Sequence, residues 1–263
     1  MHQIDQISLT RRKFIVRVAG GLTSGMLPLN LQSVLATELL DRSRVKAIAF
    51  DAFPIFDPRS VFALAKLLFP EQGADLSNEW RTRQFEYTWL RIATKRYADF
   101  WQVTGDALEF AAAKLGLQIR QDQRDRLMNA YLQLKAWPDV VPALTSLKNS
   151  GFRLAFLSNF TPHMLEANIA SAGLAGFFDH VLSTDQAKTY KPDPRAYQVG
   201  TKSLKLKPHK ILFVAFAGWD AAGAKQFGYP VFWVNRQKLP AENLGATADT
   251  TGNSLAQLVR FLA

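Results

Sequence analysis

The chain has 263 residues, 48% of them hydrophobic, enough for one large core or for a core that carries an inserted subdomain. Its formal net charge is +10, yet the basic residues are scattered with no arginine-rich tract, which argues against a nucleic-acid partner and for attraction of small anions. There is no cysteine, so disulfides, thiol nucleophiles and Cys-ligated zinc are excluded.

In chain order, Thr10-Arg11-Arg12-Lys13-Phe14-Ile15 looks like a twin-arginine export signal. The apolar stretch from Ile15 to Leu31 is broken by Arg17 and by Gly20-Gly21, too short and too interrupted for a membrane span. Ser33-Val34-Leu35-Ala36 suits cleavage after Ala36. Residues 1–36 are therefore expected to be a signal peptide, and the mature protein to be periplasmic with no membrane partner after cleavage. A basic N-terminal helix of a cytosolic protein stays open as the alternative.

Val45 to Phe50 reads as a buried strand that delivers Asp51 to its C-terminal tip. Four segments with 3.6-residue apolar periodicity follow: Ser60 to Phe69, Leu76 to Arg96, Ala98 to Leu115 and Arg124 to Leu134. After Trp137-Pro138 the pattern alternates. Helices are predicted over Val140–Lys148, Pro162–Ala172, Pro194–Leu204 and Trp219–Phe227. Strands are predicted over Arg153–Leu157, His180–Ser183, Ile211–Ala215 and, last in the chain, Pro230–Val234. This is an α/β pattern, a doubly wound parallel sheet of Rossmann-like form. Residues 45–57 and 138–263 are expected to form the core domain, and residues 58–137 an inserted helical cap.

Asp51, Ser158-Asn159, Lys191 and Asp220 all fall at strand ends or in the loops beyond them, where a doubly wound sheet gathers its site residues into one crevice. Asp51 is a single carboxylate, with Phe53 rather than a second acid two places on, as suits a nucleophile. Each residue also has a purely structural reading. Asp51 could cap a turn, Lys191 could be a solvated loop lysine, Ser158 and Asn159 could cap the helix that begins at Pro162, and Asp220 could be an acid favoured in a first helical turn.

Four segments carry a more specific signal: the run from Trp80 to Trp89, Leu157-Ser158-Asn159, Tyr190-Lys191-Pro192-Asp193, and Ala215 to Ala224. Through them the chain, from Val45 to Ala263, resembles the haloacid dehalogenase superfamily, and within it the 2-haloacid dehalogenases that invert L substrates. The resemblance implies a hydrolase that needs no cofactor or metal and acts on a small carboxylate or haloacid. It implies that Asp51 forms an aspartyl ester, that Lys191 holds the Asp51 carboxylate, and that Asp220 pairs with Lys191 and positions water. Ser158 and Asn159 would donate to the substrate carboxylate, and Arg81 would meet the leaving halide or that carboxylate. Phe53, Phe100 and Trp219 would wall an apolar pocket, with Tyr197 at a polar position in it, while Trp80 and Phe85 read as core residues. A homodimer stays open.

The chain departs from the family pattern twice. The first motif usually reads Asp-x-Tyr-Gly-Thr-Leu-Phe/Tyr-Asp, whereas Asp51 to Asp57 is one residue shorter and lacks the Gly-Thr. The last motif usually has Ser-Asn before x-Trp-Asp, whereas this chain has Phe216-Ala217-Gly218-Trp219-Asp220. These losses keep two further readings in play: a hydrolase of the same fold acting on another small substrate, and a weakened small-anion binding protein. A magnesium-dependent phosphatase is disfavoured, because Phe53 and Phe216 stand where it needs oxygen ligands.

Overall fold

The computed structural model describes residues 44–263. The expected signal peptide at 1–36 lies outside the described residues. Six parallel strands form the main sheet: β1 (Ala47–Phe50), β4 (Arg153–Ser158), β5 (His180–Ser183), β6 (Ile211–Ala215), β7 (Val231–Val234) and β8 (Thr250–Gly252). Their order across the sheet is β5-β4-β1-β6-β7-β8. The chain runs from β1 to one side and then returns to the other, pairing Phe50 with Phe156 of β4 and with Val214 of β6. The order of strands therefore reverses about β1, and the crevice of a doubly wound sheet opens at that strand's C-terminal end.

Strands β1, β6 and β7 are apolar throughout, as is β4 from Leu154 to Leu157, because both faces of the sheet are covered there. Ile48, Phe50, Leu154, Phe156, Leu212 and Val214 point into one core. That core is closed by α5 (Val140–Asn149), α6 (Pro162–Ser171) and α9 (Leu255–Leu262), through Leu144, Leu147, Leu165 and Leu258. Ala47, Ala49, Ala155, Leu157, Ile211 and Phe213 point the other way, onto α7 (Pro194–Leu204) and α8 (Gly218–Phe227). Alternate residues thus serve opposite layers, as the period-two geometry of a strand requires.

Between β1 and α5 come four helices: α1 (Arg59–Leu68), α2 (Gly73–Ala93), α3 (Phe100–Lys114) and α4 (Gln121–Ala130). Asp99 starts α3 by accepting from Gln102 N, and Thr161 starts α6 by accepting from Met164 N, ahead of Pro162 at the first helical position. Several contacts tie the helical block to the core, among them a strand pair and a buried amide. A short antiparallel pair, β2 (Phe56–Asp57) with β3 (Lys135–Ala136), joins its two connections. The wholly buried Asn168 of α6 donates to Tyr131 O and Met164 O and accepts from Leu134 N.

Three expectations are corrected. Pro230–Val234 is not the last strand, since β8 adds to the sheet edge and α9 follows. The β2–β3 pair was absent from the predicted elements. The cap of α6 is Thr161, not Ser158 or Asn159. Among the described residues no helix is long and apolar enough to cross a membrane.

Candidate active site

The last residue of β1 is followed by Asp51, whose backbone N–H continues the ladder onto Val214 O at 3.0 Å. This fixes the carboxylate at the mouth of the crevice, 13% exposed. One oxygen, Oδ2, accepts from the backbone N–H of Phe53 at 3.2 Å, and the other, Oδ1, from Lys191 Nζ at 2.8 Å.

Lys191 is 1% exposed, and its ammonium also donates to Asp220 Oδ2 at 2.6 Å. It lies 4.9 Å from the centre of the Phe213 ring. Its backbone N–H donates to Asn159 Oδ1 at 3.0 Å, which anchors the loop after β5 to the loop after β4. Burial alone would favour loss of its proton, but Asp220 and Asp51 together outweigh that and raise its pKa, so the cation is secure.

Asp220 sits in the first turn of α8, 2% exposed. Its Oδ1 accepts from Tyr197 Oη at 2.8 Å. Burial pushes its carboxyl up, Lys191 opposes this, and the like charge of Asp51 adds to it, leaving a pKa of about 6. Asp51, Lys191, Asp220 and Tyr197 thus form one chain of contacts running inward from the cavity. Gly223 makes this possible: a Cβ there would lie 2.6 Å from Tyr197 Oη and 2.7 Å from Pro192 Cβ.

The cavity before Asp51 has a volume of about 360 Å³. Ser158, Asn159, Phe53, Phe100, Trp219, Asp220 and Arg81 all line it. Ser158 Oγ accepts from Phe160 N, which leaves its proton to donate. Asn159 Oδ1 accepts from Lys191 N and from Thr184 Oγ1, so the amide oxygen is spoken for and its NH2 is the end that can serve a ligand. Arg81 has no ion-pair partner among the described residues and is exposed at the rim.

Two expectations fail here. Tyr197 does not line the cavity. It is fully buried behind Asp220, because its helix α7 packs under α8 rather than over the strand tips. Phe85 is not core: it lines the cavity and meets Trp219 edge to face at 5.6 Å. Trp80 does belong to the core, with Nε1 donating to Thr104 O. Sequence reasoning also missed Phe160, Gln84, Trp89 and Tyr131 as lining residues. Phe160 follows Ser158-Asn159 directly, the one signal that pointed to it.

The residues present do not fit a divalent cation. The Lys191 ammonium occupies the position between the two carboxylates, and the Phe53 and Phe216 rings pack 5.8 Å apart beside Asp51, where further oxygen ligands would be needed. The arrangement instead suits an anionic nucleophile facing an apolar cavity, a buried cation to hold it, and hydrogen-bond donors and an arginine for an anionic ligand.

Residues 36–228 match the sequence profile described as haloacid dehalogenase-like hydrolase. The (S)-2-haloacid dehalogenase of Pseudomonas sp. (strain YL) is 42% identical over 218 residues, which cover 82% of this chain and 94% of that protein. A crystal structure of an L-2-haloacid dehalogenase superposes with a TM-score of 0.82 at 41% identity, covering 83% of this chain and 98% of the other. The L-2-haloacid dehalogenase from Xanthobacter autotrophicus with chloropropionic acid covalently bound gives a TM-score of 0.77 at 33% identity, covering 83% and 98%.

Proposed function

The chain belongs to the haloacid dehalogenase-like hydrolases, and we propose that it hydrolyses (S)-2-haloacids through an ester on Asp51. The observation that carries this is the single carboxylate of Asp51, held at 2.8 Å by a buried lysine and facing an apolar cavity. The covalently bound chloropropionic acid of the Xanthobacter relative supports it.

In the first step one Asp51 oxygen attacks C2. The new C–O bond forms as the carbon–halogen bond breaks, and the halide leaves with the bonding pair. Asp51 needs no base for this, because a carboxylate is ionised at neutral pH. Ser158 Oγ and the Asn159 amide donate to the substrate carboxylate, and Arg81 is the cation at the rim for an anion, either that carboxylate or the departing halide. In the second step water adds to the Asp51 ester carbonyl and the acyl–oxygen bond breaks. One water proton ends on the hydroxyl of the 2-hydroxyacid product, and the other passes to ionised Asp220. Phe216 and Ala217 offer that water no side-chain hydrogen bond, so the second step is the slow one.

The same feature favours one other reading, a weakened small-anion binding protein. Halide release decides between them. Released halide and 2-hydroxyacid in equal amounts from 2-chloropropionate support catalysis. Asp51→Asn keeps the shape of the site but removes the anion, and is expected to lower the rate by about 10⁴-fold or more. No release from any short 2-haloacid, or a variant as fast as the parent, contradicts the catalytic reading.

We also propose that residues 1–36 direct export by the twin-arginine route. The family match begins at residue 36, the last residue of that segment, which supports treating it as an addition to the hydrolase.

A further inference from the structure

The cavity is larger than a short haloacid needs. Its volume of about 360 Å³ falls within the range of about 300–1,000 Å³ of pockets that take drug-sized ligands. At about 30 Å³ per molecule it could hold about a dozen waters, whereas a three-carbon haloacid has only a handful of non-hydrogen atoms.

The polar groups that handle the acid, Ser158, Asn159 and Arg81, account for little of the wall. Nine of the 23 lining residues are aromatic, set beside the polar Thr82, Gln84, Glu86, Gln237 and Glu242, and seven of the nine fall into two clusters. Phe53, beside Asp51, meets Phe160 at 5.3 Å and Phe216 at 5.8 Å, and Phe160 meets Phe100 at 5.6 Å. The second cluster is a closed triangle. Phe85 and Trp89 of α2 each meet Trp219 of α8, at 5.6 and 5.5 Å, and lie 6.3 Å from one another. Trp219 directly precedes Asp220, so the triangle adjoins the reacting end of the cavity. Trp89, 38% exposed, carries it out to the rim. Waters lying against these rings find few polar partners on them, and displacing poorly held water with an apolar group favours binding. Rings set edge to face also reward a flat aromatic guest beyond the area it buries.

We propose that the preferred substrates are 2-halocarboxylates bearing an aryl side chain, with the ring packed against the cavity face of the Phe85, Trp89 and Trp219 cluster while C2 faces Asp51. The assignment rests on the catalytic reading above and names its substrate class.

Two measurements test it. The first is kcat/KM for 2-bromo-3-phenylpropionate, 2-bromohexanoate and 2-bromopropionate. The aryl acid is expected to lead both others by about tenfold or more, since even one methylene in a hydrophobic pocket is worth about tenfold or more. Trp89→Ala and the milder Phe85→Leu should each cut the aryl-to-propionate ratio severalfold. The second is calorimetric binding of halogen-free 3-phenylpropionate against propionate, which reads the cavity without chemistry and should favour the aryl acid by about tenfold or more. If no haloacid turns over but 3-phenylpropionate still binds selectively, the catalytic reading fails and the aryl site stands. If haloacids turn over with no aryl preference, or with the hexanoate equal to the aryl acid, the inference is overturned and the catalytic reading survives.

Discussion

At the residue scale, the site turns on how one buried lysine is shared. Lys191 neutralises Asp51 and Asp220 at once, but the deeper acid suffers more from burial, and its pKa stands near 6 rather than 3.8. That shift has two consequences of opposite sign. Between about pH 4 and pH 6 the folded chain binds more protons at Asp220 than the unfolded chain, so this group favours folding at low pH and the benefit is lost as pH rises through 6. In the proposed mechanism the ionised form takes a proton from water, so ester hydrolysis should fall as pH drops below about 6. Urea unfolding of the parent and of Asp220→Asn across this range isolates the first effect: the stability of the parent relative to the variant should fall as pH rises. Stopped-flow turnover reads the second. An acidic limb near pH 4, or a parent-minus-variant difference that is flat with pH, would contradict the assignment.

At the scale of elements, the close approach of α7 and α8 sets Tyr197 on Asp220, and Gly223 is the residue that permits it. Helix propensity alone predicts that Gly223→Ala gains about 1 kcal/mol. The packing predicts the reverse: the new methyl meets a buried tyrosine hydroxyl at 2.6 Å and a proline ring carbon at 2.7 Å, and overpacking of this kind costs about 1–3 kcal/mol. The urea midpoint should therefore fall. Because the Tyr197 hydrogen bond lowers the pKa of Asp220, its loss should move the acidic limb of activity to higher pH. A higher midpoint with an unchanged limb would show that Tyr197 is not held as described. Much of this architecture was legible beforehand. The uninterrupted apolar runs gave β1, β4 and β6, and position at strand ends gave Asp51, Lys191 and Asp220. The two-residue strands β2 and β3 are too short for any periodicity to register. Thr250–Gly252 has no apolar residue, so β8 leaves no signal, whereas the spacing of Leu255, Leu258, Val259 and Leu262 is the helical signature of α9. A helical face does not reveal whether it meets a core or a cavity, so Phe85 reads as core and Trp89 gives no sign of the cavity; Tyr197 is expected in the pocket from the family resemblance alone, and it lies behind Asp220 instead.

At the scale of the whole molecule, the hydrolase begins where the proposed export signal ends. Periplasmic material is expected to start at Thr37, which N-terminal sequencing would show; an intact Met1 on cytosolic protein, unchanged by Arg11→Lys with Arg12→Lys, would contradict export. The central claim is that the chain itself becomes covalently modified during turnover. Phe216 and Ala217 offer the hydrolytic water no side-chain hydrogen bond and leave Asp220 as its one proposed side-chain partner, so the ester on Asp51 should persist long enough to be caught by intact-protein mass spectrometry after mixing with a 2-haloacid. The most direct test is one turnover in heavy-oxygen water, followed by mass analysis of the protein and the product. Water attacks the Asp51 carbonyl, so the label is predicted to enter the Asp51 carboxylate first and to be absent from the 2-hydroxyacid. Label in the product on the first turnover, with none on the protein, would contradict the account.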